Sequence, residues 1–479
     1  MLSDPKSHRI ERFGDRLDWC VKHLQPNTPV AIGSRAYLWE CIQHELGPAC
    51  PGLKTWRRST GPKDDYAVPD VFIRGILHIY PEVTLEALTA PKFSGFEAYA
   101  LEISAAHERW NNATMYVARK RDVLAALGKH YHKNVDEEPD FPLIAKKGWL
   151  LRHPVLLTED SPLPKFVTHF KEEDPPRLDG LNVDYVFIKS RFVPRDHQPR
   201  DIDGYRLLDV NATRSGLDLT FGSTTYPRYI NSCEAAAAEL ADYALRCSAT
   251  VAPDMLSLRG PPERVFDLKR RSAFVGVNCL LMLKNYSTGG RSNETTTGRH
   301  KFVLQVRGEE VLEAQNTIAV VPSGGHEPLA VGFGDDREAT IWRTVVREFC
   351  EELFNKEEAT KLRSYGEEFL SLPEIRPLVD IFFRTSKFAR VYLLGVGLDP
   401  VTTKPEILVA IVVDWMSVIK KITLKVEQNY EGKVHLVDLS YKNLLREANA
   451  ERVEKSLNPA ARACLLQAAK HYELLMGES

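Results

Sequence analysis

The chain has 479 residues, 43% apolar and 27% charged, with 63 basic and 65 acidic side chains for a net charge of -2. That length holds roughly two to four domains with real cores. The near-neutral charge excludes a global field that would drive binding to nucleic acid or anionic membrane, so any DNA contact must come from a local patch. Eight cysteines without a C-x-x-C pair suit neither a disulfide framework nor a zinc site. Residues 1–12 are polar and charged, and the longest apolar runs, 274–283 and 407–413, are only strand length. A cytoplasmic protein with no membrane span is expected.

Residues 9–24 place Ile10, Phe13, Leu17, Val21 and Leu24 at helical spacing. A second helix follows at 34–46, closed by Gly47-Pro48, and shorter helical pieces lie at 51–58, 69–79 and 83–90. Over 96–132 the pattern stays helical and becomes charged. Pro, Asp and Glu cluster at 136–142, 158–164 and 174–180, which marks the best linker candidates. Beyond them 183–189, 205–211 and 217–221 alternate like strands, and 233–247 reads as an Ala-rich helix. From 264 onward strands are expected at 273–283, 301–306, 317–321, 388–395 and 407–414, with a helix at 338–353 and a loop at 287–298. Asn458-Pro459 makes a good N-cap and first turn for a final helix over 460–476. The chain as a whole predicts an α+β multidomain protein. Its expected parts are a helical module at 1–92, a helical connector and linker at 93–160, a middle α+β domain at 161–262, and a mixed α/β domain ending in a helix at 263–479.

The most informative stretch is Arg347-Glu348-Phe349-Cys350-Glu351-Glu352-Leu353. At helical periodicity Trp342, Val345, Val346, Phe349 and Leu353 form one apolar stripe. Glu348 and Glu352 lie along an edge of that stripe, with Glu351 beside them. Carboxylates at these spacings repel one another by about 0.2–0.5 kcal/mol per pair, and the helix carboxyl end disfavours anions further. A hard divalent cation removes the conflict, because Mg²⁺ is held by a few carboxylates together with phosphate oxygens. A solvated acidic helix face is the plain alternative.

Around this stretch stand Gly324-Gly325, Gly332 and Glu338. The combined pattern, Gly332-x5-Glu338 followed by Arg-Glu-apolar-x-Glu-Glu, resembles the Nudix box of the Nudix hydrolase superfamily. The resemblance implies a Nudix-like α/β/α sandwich in the last domain, with Glu348, Glu351 and Glu352 as ligands of Mg²⁺ or Mn²⁺ and Arg347 orienting a carboxylate. It departs from the family pattern at two places. Eight residues rather than seven separate Glu338 from Arg347, and Phe354 stands where the family has glycine. If Gly325 is instead the family glycine, Glu338 loses its assignment. In the hydrolytic reading a general base lies outside the metal ligands, and Glu338 and Glu406 are the candidates. Glu406 is equally a loop surface residue. Arg307, Arg337 and His326 are candidates to touch phosphate, each equally an ordinary surface residue.

At the other end, residues 51–62 followed by 68–79 and 83–88 resemble the later part of a Cro/repressor-type helix-turn-helix domain. A recognition helix presents short polar and basic side chains to the groove. Lys54, Thr55, Arg57 and Arg58, with Lys63 nearby, would supply that DNA-binding patch, and Leu53 and Trp56 would anchor it. A helical docking or dimerisation module is the alternative. The overall arrangement resembles regulators that join such a domain to a Nudix-like half.

Two functions therefore stand open: a metal-dependent hydrolase acting on a nucleoside diphosphate linked to another moiety, or a regulator. The regulator would use a non-catalytic Nudix fold to sense a nucleotide-like ligand and its amino-terminal module to bind DNA or a partner. A separate ligand site in the middle domain is a third possibility, for which the sequence offers no chemistry. His107, His130 and His132 lack metal-ligand partners at suitable spacing and read as surface histidines.

Overall fold

The computed structural model describes Ile76 and residues 93–168, 170, 178, 184–190, 202–246, 256–286, 299–307, 317–329, 335–353, 368–385, 387–418, 432–450 and 456–477. The expectations for Lys54, Thr55, Arg57, Arg58 and nearly all of 1–92 lie outside these residues. The chain divides into two compact units, Met1–Asn112 with Pro176–Phe192, and Ala113–Pro175 with Val193–Ser479.

Helix α1 spans Phe93–Arg119, and the unit boundary falls within it. In the first unit Trp110 is buried edge-on to Tyr185, with ring centroids 6.3 Å apart. Residues 183–189, expected as a strand, instead contain a helix at Tyr185–Ser190. The Asp184 carboxylate accepts from the Phe187 amide at 3.3 Å, the bond of an N-cap. Tyr185 and Ile188, three residues apart, supply the buried face. A short alternating run can satisfy either period, and here the cap decides.

The second unit is built on a large mixed sheet. Its strands are β1 (Leu150–Leu157), β5 (Gly276–Tyr286), β6 (Arg299–Arg307), β7 (Ile318–Val320), β8 (Ser323–Gly325), β9 (Ala389–Leu398), β10 (Pro405–Asp414) and β11 (Gly432–Asp438). The main path runs β1-β9-β10-β5-β6-β11, with β7 pairing to β6 and β8 to β5. β10 and β5 run parallel, Glu406 opposite Gly276 and Asp414 opposite Lys284. Both are apolar on both faces and buried along nearly their whole length, as expected for strands covered on both sides.

Helices account for the burial. α2 (Arg121–Tyr131), α3 (Ala235–Arg246), α4 (Ile341–Leu353), α5 (Tyr441–Asn449) and α6 (Pro459–Lys470) are the longer ones in this unit. α4 packs on β5 and β8, and α6 packs on β5, β7, β9 and β10. Asn458 caps α6 as the sequence predicts, its side-chain oxygen accepting from the Ala460 amide at 2.8 Å.

A smaller sheet, β2 (Lys165–Val167), β4 (Leu217–Thr225) and β3 (Asp203–Ala212), belongs to the same compact unit. The Tyr205 amide donates to the His326 carbonyl at 2.8 Å, and the Val275 amide donates to the Tyr205 carbonyl at 3.0 Å. Tyr205, Leu207, Leu219 and Phe221 are part of one apolar core with β5 and α4. Among the described residues no helix is long and apolar enough to cross a membrane.

Candidate functional site

α4 carries the acidic stretch, and its side chains are buried nearly all round, with Trp342, Val345, Val346, Phe349 and Leu353 in the core. The apolar stripe therefore behaves as its spacing predicts. The acidic edge is not a solvated face: Glu348 and Glu352 are buried.

Each carboxylate has a placed partner. The Glu348 carboxylate lies against Gly324 of β8, where a Cβ would overlap it. The Ser323 amide donates to Glu352 Oε1 at 2.8 Å. Arg347 stands among the acids, 2.6 Å from Glu348, 3.3 Å from Glu351 and 3.9 Å from Glu327, and it donates to the Gly325 carbonyl. Arg347 is itself only 2% exposed. Burial opposes its charge, but Glu348, Glu351 and Glu327 outweigh that effect and hold the guanidinium above its ordinary pKa. β8 and the last turns of α4 are thus clasped by one buried cation shared among three acids.

The sequence resemblance paired Arg347 with a carboxylate, and the structure brings it to Glu348 and Glu351. Glu327 is a member of the cluster that the sequence reading did not single out. Its signal was present, an acid two residues after the Gly-Gly pair, although spacing alone did not reveal that β8 would lie beside α4.

The two general-base candidates are placed elsewhere. Glu338 sits before α4 in a buried ion pair with Arg343 at 2.5 Å, and its other oxygen accepts from the Leu329 amide at 3.2 Å. Glu348 lies seven helical steps beyond Ile341, an axial rise of about 10 Å. Glu406 accepts from Asn278 Nδ2 at 2.7 Å, and Gly276, its register partner, leaves the space for its carboxylate. Gly324 pairs with Val277, the next residue along β5. Successive strand residues face opposite sides, so the Glu348 and Glu406 carboxylates lie on opposite faces of the sheet.

His326 does not point outward to a phosphate. It is fully buried, with Nδ1 2.6 Å from Thr344 Oγ1 and Nε2 3.0 Å from the Ala339 carbonyl. With Nε2 as the donor, the ring is neutral and accepts the Thr344 hydroxyl proton at Nδ1. Burial pushes its pKa down to about 3, with the Ala339 carbonyl opposing and the charge of Arg347 adding to the shift. His132, expected at the surface, is also buried, and its pKa falls to about 2 through burial and the neighbouring Arg259.

Among the described residues no group of three or more His, Cys, Asp and Glu side chains is already arranged as a metal cage. Glu348 and Glu351 are turned toward Arg347 instead, and Glu352 accepts from the Ser323 amide. No protein-family model matches this chain, and no curated protein matches it in sequence.

Proposed function

We propose that the unit built on α4 and β8 is a Nudix-type module acting as a metal-dependent hydrolase on a nucleoside diphosphate linked to another moiety. The observation that carries this reading is the clasp of Glu348 against Gly324, with Arg347 joined to Gly325, Glu348 and Glu351. An acidic helix selected only for stability has no need of a glycine strand to admit a carboxylate. Packing of α4 and α6 against a shared mixed sheet supports the expected α/β/α layering.

The donor chemistry fits a hard divalent cation. Glu348, Glu351 and Glu352 would hold Mg²⁺ or Mn²⁺ through carboxylate oxygens. Bound there, the ion would neutralise phosphoryl oxygens and lower the pKa of a water. Arg347 holds Glu348 and Glu351 on the same side of the helix, and the Ser323 amide orients Glu352. Glu327, next to Arg347 and partly exposed, is an acid of the cluster outside the α4 set.

One observation favours the second reading, a nucleotide-ligand sensor with a non-catalytic Nudix fold and an amino-terminal module that binds DNA or a partner. Arg347 already supplies one positive charge to the acids, so the cluster is partly neutralised without an ion. A single experiment separates the two. Release of phosphate or nucleoside monophosphate from a panel of nucleoside diphosphate derivatives is measured with Mg²⁺, with Mn²⁺ and with EDTA. Metal-dependent release that disappears in the Glu351→Gln, Glu352→Gln double variant establishes the hydrolase. No release across the panel, with thermal stabilisation by one compound, establishes the sensor.

A further inference from the structure

We propose that His326 is a positioning residue that sets the height and rotation of α4 against the Gly324-Gly325 strand, and through them the arrangement of Glu348 and Glu351. The proposal rests on the metal-site reading above and deepens it. His326 is joined through both its main chain and its ring. Its amide donates to the Val275 carbonyl at 2.7 Å, and its carbonyl accepts from the Tyr205 amide at 2.8 Å. The ring bonds reach Ala339, in the turn before α4, and Thr344, within α4. Tyr205 and Phe221 close over the ring with centroids 4.6 and 4.9 Å away. Four segments, at Tyr205, at Phe221, at Val275 and over 339–344, therefore meet at one residue.

Its place in the chain gives this junction a consequence. Gly324 receives Glu348, Gly325 receives the Arg347 hydrogen bond, and Glu327 faces Arg347. His326 lies between the last two and anchors the segment, β8 and the residues just after it, from which all three contacts are made. Thr344 is four residues before Glu348, one helical turn away along the same face. A residue whose ring bonds Thr344 while its backbone is held to β3 and to Val275, just before β5, fixes that turn of α4 relative to β8. Loss of the ring bonds would let the helix slide or rotate. The carboxylates would then lose their common orientation while the surrounding core stayed packed.

The test measures Mn²⁺ affinity by electron paramagnetic resonance in the full chain, with circular dichroism confirming the fold of each variant. His326→Leu removes both ring bonds, Thr344→Val removes one partner, and His326→Gln keeps a donor that can reach the Ala339 carbonyl. The expected result is affinity about tenfold weaker in folded His326→Leu, partial recovery in His326→Gln, and no further loss when Thr344→Val is added to His326→Leu. Unchanged affinity in folded His326→Leu overturns the proposal. If that variant does not fold, Thr344→Val alone decides on the same criterion. If the wild-type protein binds no Mn²⁺, the metal reading falls and hydrogen exchange decides the positioning role. Faster exchange in His326→Leu confined to 323–329 and 341–353 then supports it, and unchanged exchange there overturns it.

Discussion

Gly324 leaves the space that the Glu348 carboxylate occupies, so a strand glycine and a helix acid 24 positions later form one feature (348 minus 324). Adding a methyl group at Gly324 pushes on a buried, ion-paired carboxylate that has little room to retreat. Gly324→Ala is expected to cost about 1–3 kcal/mol of stability, the usual range for overpacking. If the protein is the proposed hydrolase, metal-dependent turnover should fall by about 10–100-fold. Urea unfolding and the phosphate-release assay check the two effects separately, and an alanine variant with full turnover would remove Gly324 from the site.

Arg347 is the cation around which Glu348, Glu351 and Glu327 are gathered. Replacing it with Met keeps much of the volume and leaves the buried Glu348 carboxylate, and the partly exposed Glu351 and Glu327, without compensation. Breaking one side of a buried ion pair costs about 3–5 kcal/mol, so Arg347→Met should lower the denaturation midpoint strongly. Millimolar Mg²⁺ should restore part of that loss if the acids take up an ion. Indifference of the variant to Mg²⁺ would count against them as ligands.

Acid should destabilise the protein before its carboxylates titrate. His326 and His132 have folded-state pKa values pushed down to about 3 and about 2, against an ordinary value of 6.5. Both are buried and neutral, so below pH 6.5 the unfolded chain binds protons that the folded chain does not. Their contribution is complete above pH 6.5 and declines as the pH drops toward 3, by about 1.4 kcal/mol per pH unit for each histidine. Thermal midpoints at pH 7.5, 6.5, 5.5 and 4.5 should be level across the first pair and fall across the rest. His326→Leu should flatten part of that slope.

Tyr205 supplies a test of packing without chemistry. Its ring is wedged between Phe166, Phe221 and His326, while its hydroxyl is buried with no hydrogen-bond partner among the described residues. Removing a buried, unsatisfied polar atom lifts a desolvation cost of about 1–3 kcal/mol. Tyr205→Phe is therefore expected to leave the melting temperature unchanged or raise it. A clear drop would mean that the hydroxyl is satisfied, for instance by an ordered water.

Strong periodicity made much of the second unit legible. β5, β6, β9, β10 and α4 all fall within a few residues of their expected positions, because long apolar runs and a 3.6-residue stripe have few alternative structures. β1 escaped because Leu150-Leu-Arg-His-Pro-Val-Leu-Leu157 does not alternate and contains a proline. It is an edge strand with a register irregularity between Leu150 and Val155, a setting that tolerates proline. β8 has three residues, too few to carry any periodic signal.

By itself the sequence determined which residues carry charge on α4, the helical register that places Glu348, Glu351 and Glu352 along one edge, and the glycine pair preceding it. Those are local properties, set by side-chain chemistry and the fixed pitch of a helix. Only the tertiary structure decided that Glu348 fills the space at Gly324, that Arg347 and Glu327 join the cluster, and that Glu338 is committed to Arg343. It also decided that Glu406 falls on the far side of the sheet, since facing depends on strand register. Apart from the Glu338–Arg343 pair, these relationships join distant segments, 20 positions apart for Arg347 and Glu327, 24 for Glu348 and Gly324, and 130 for Glu406 and Gly276. Such pairings follow from how strands align and helices dock, which no local spacing encodes.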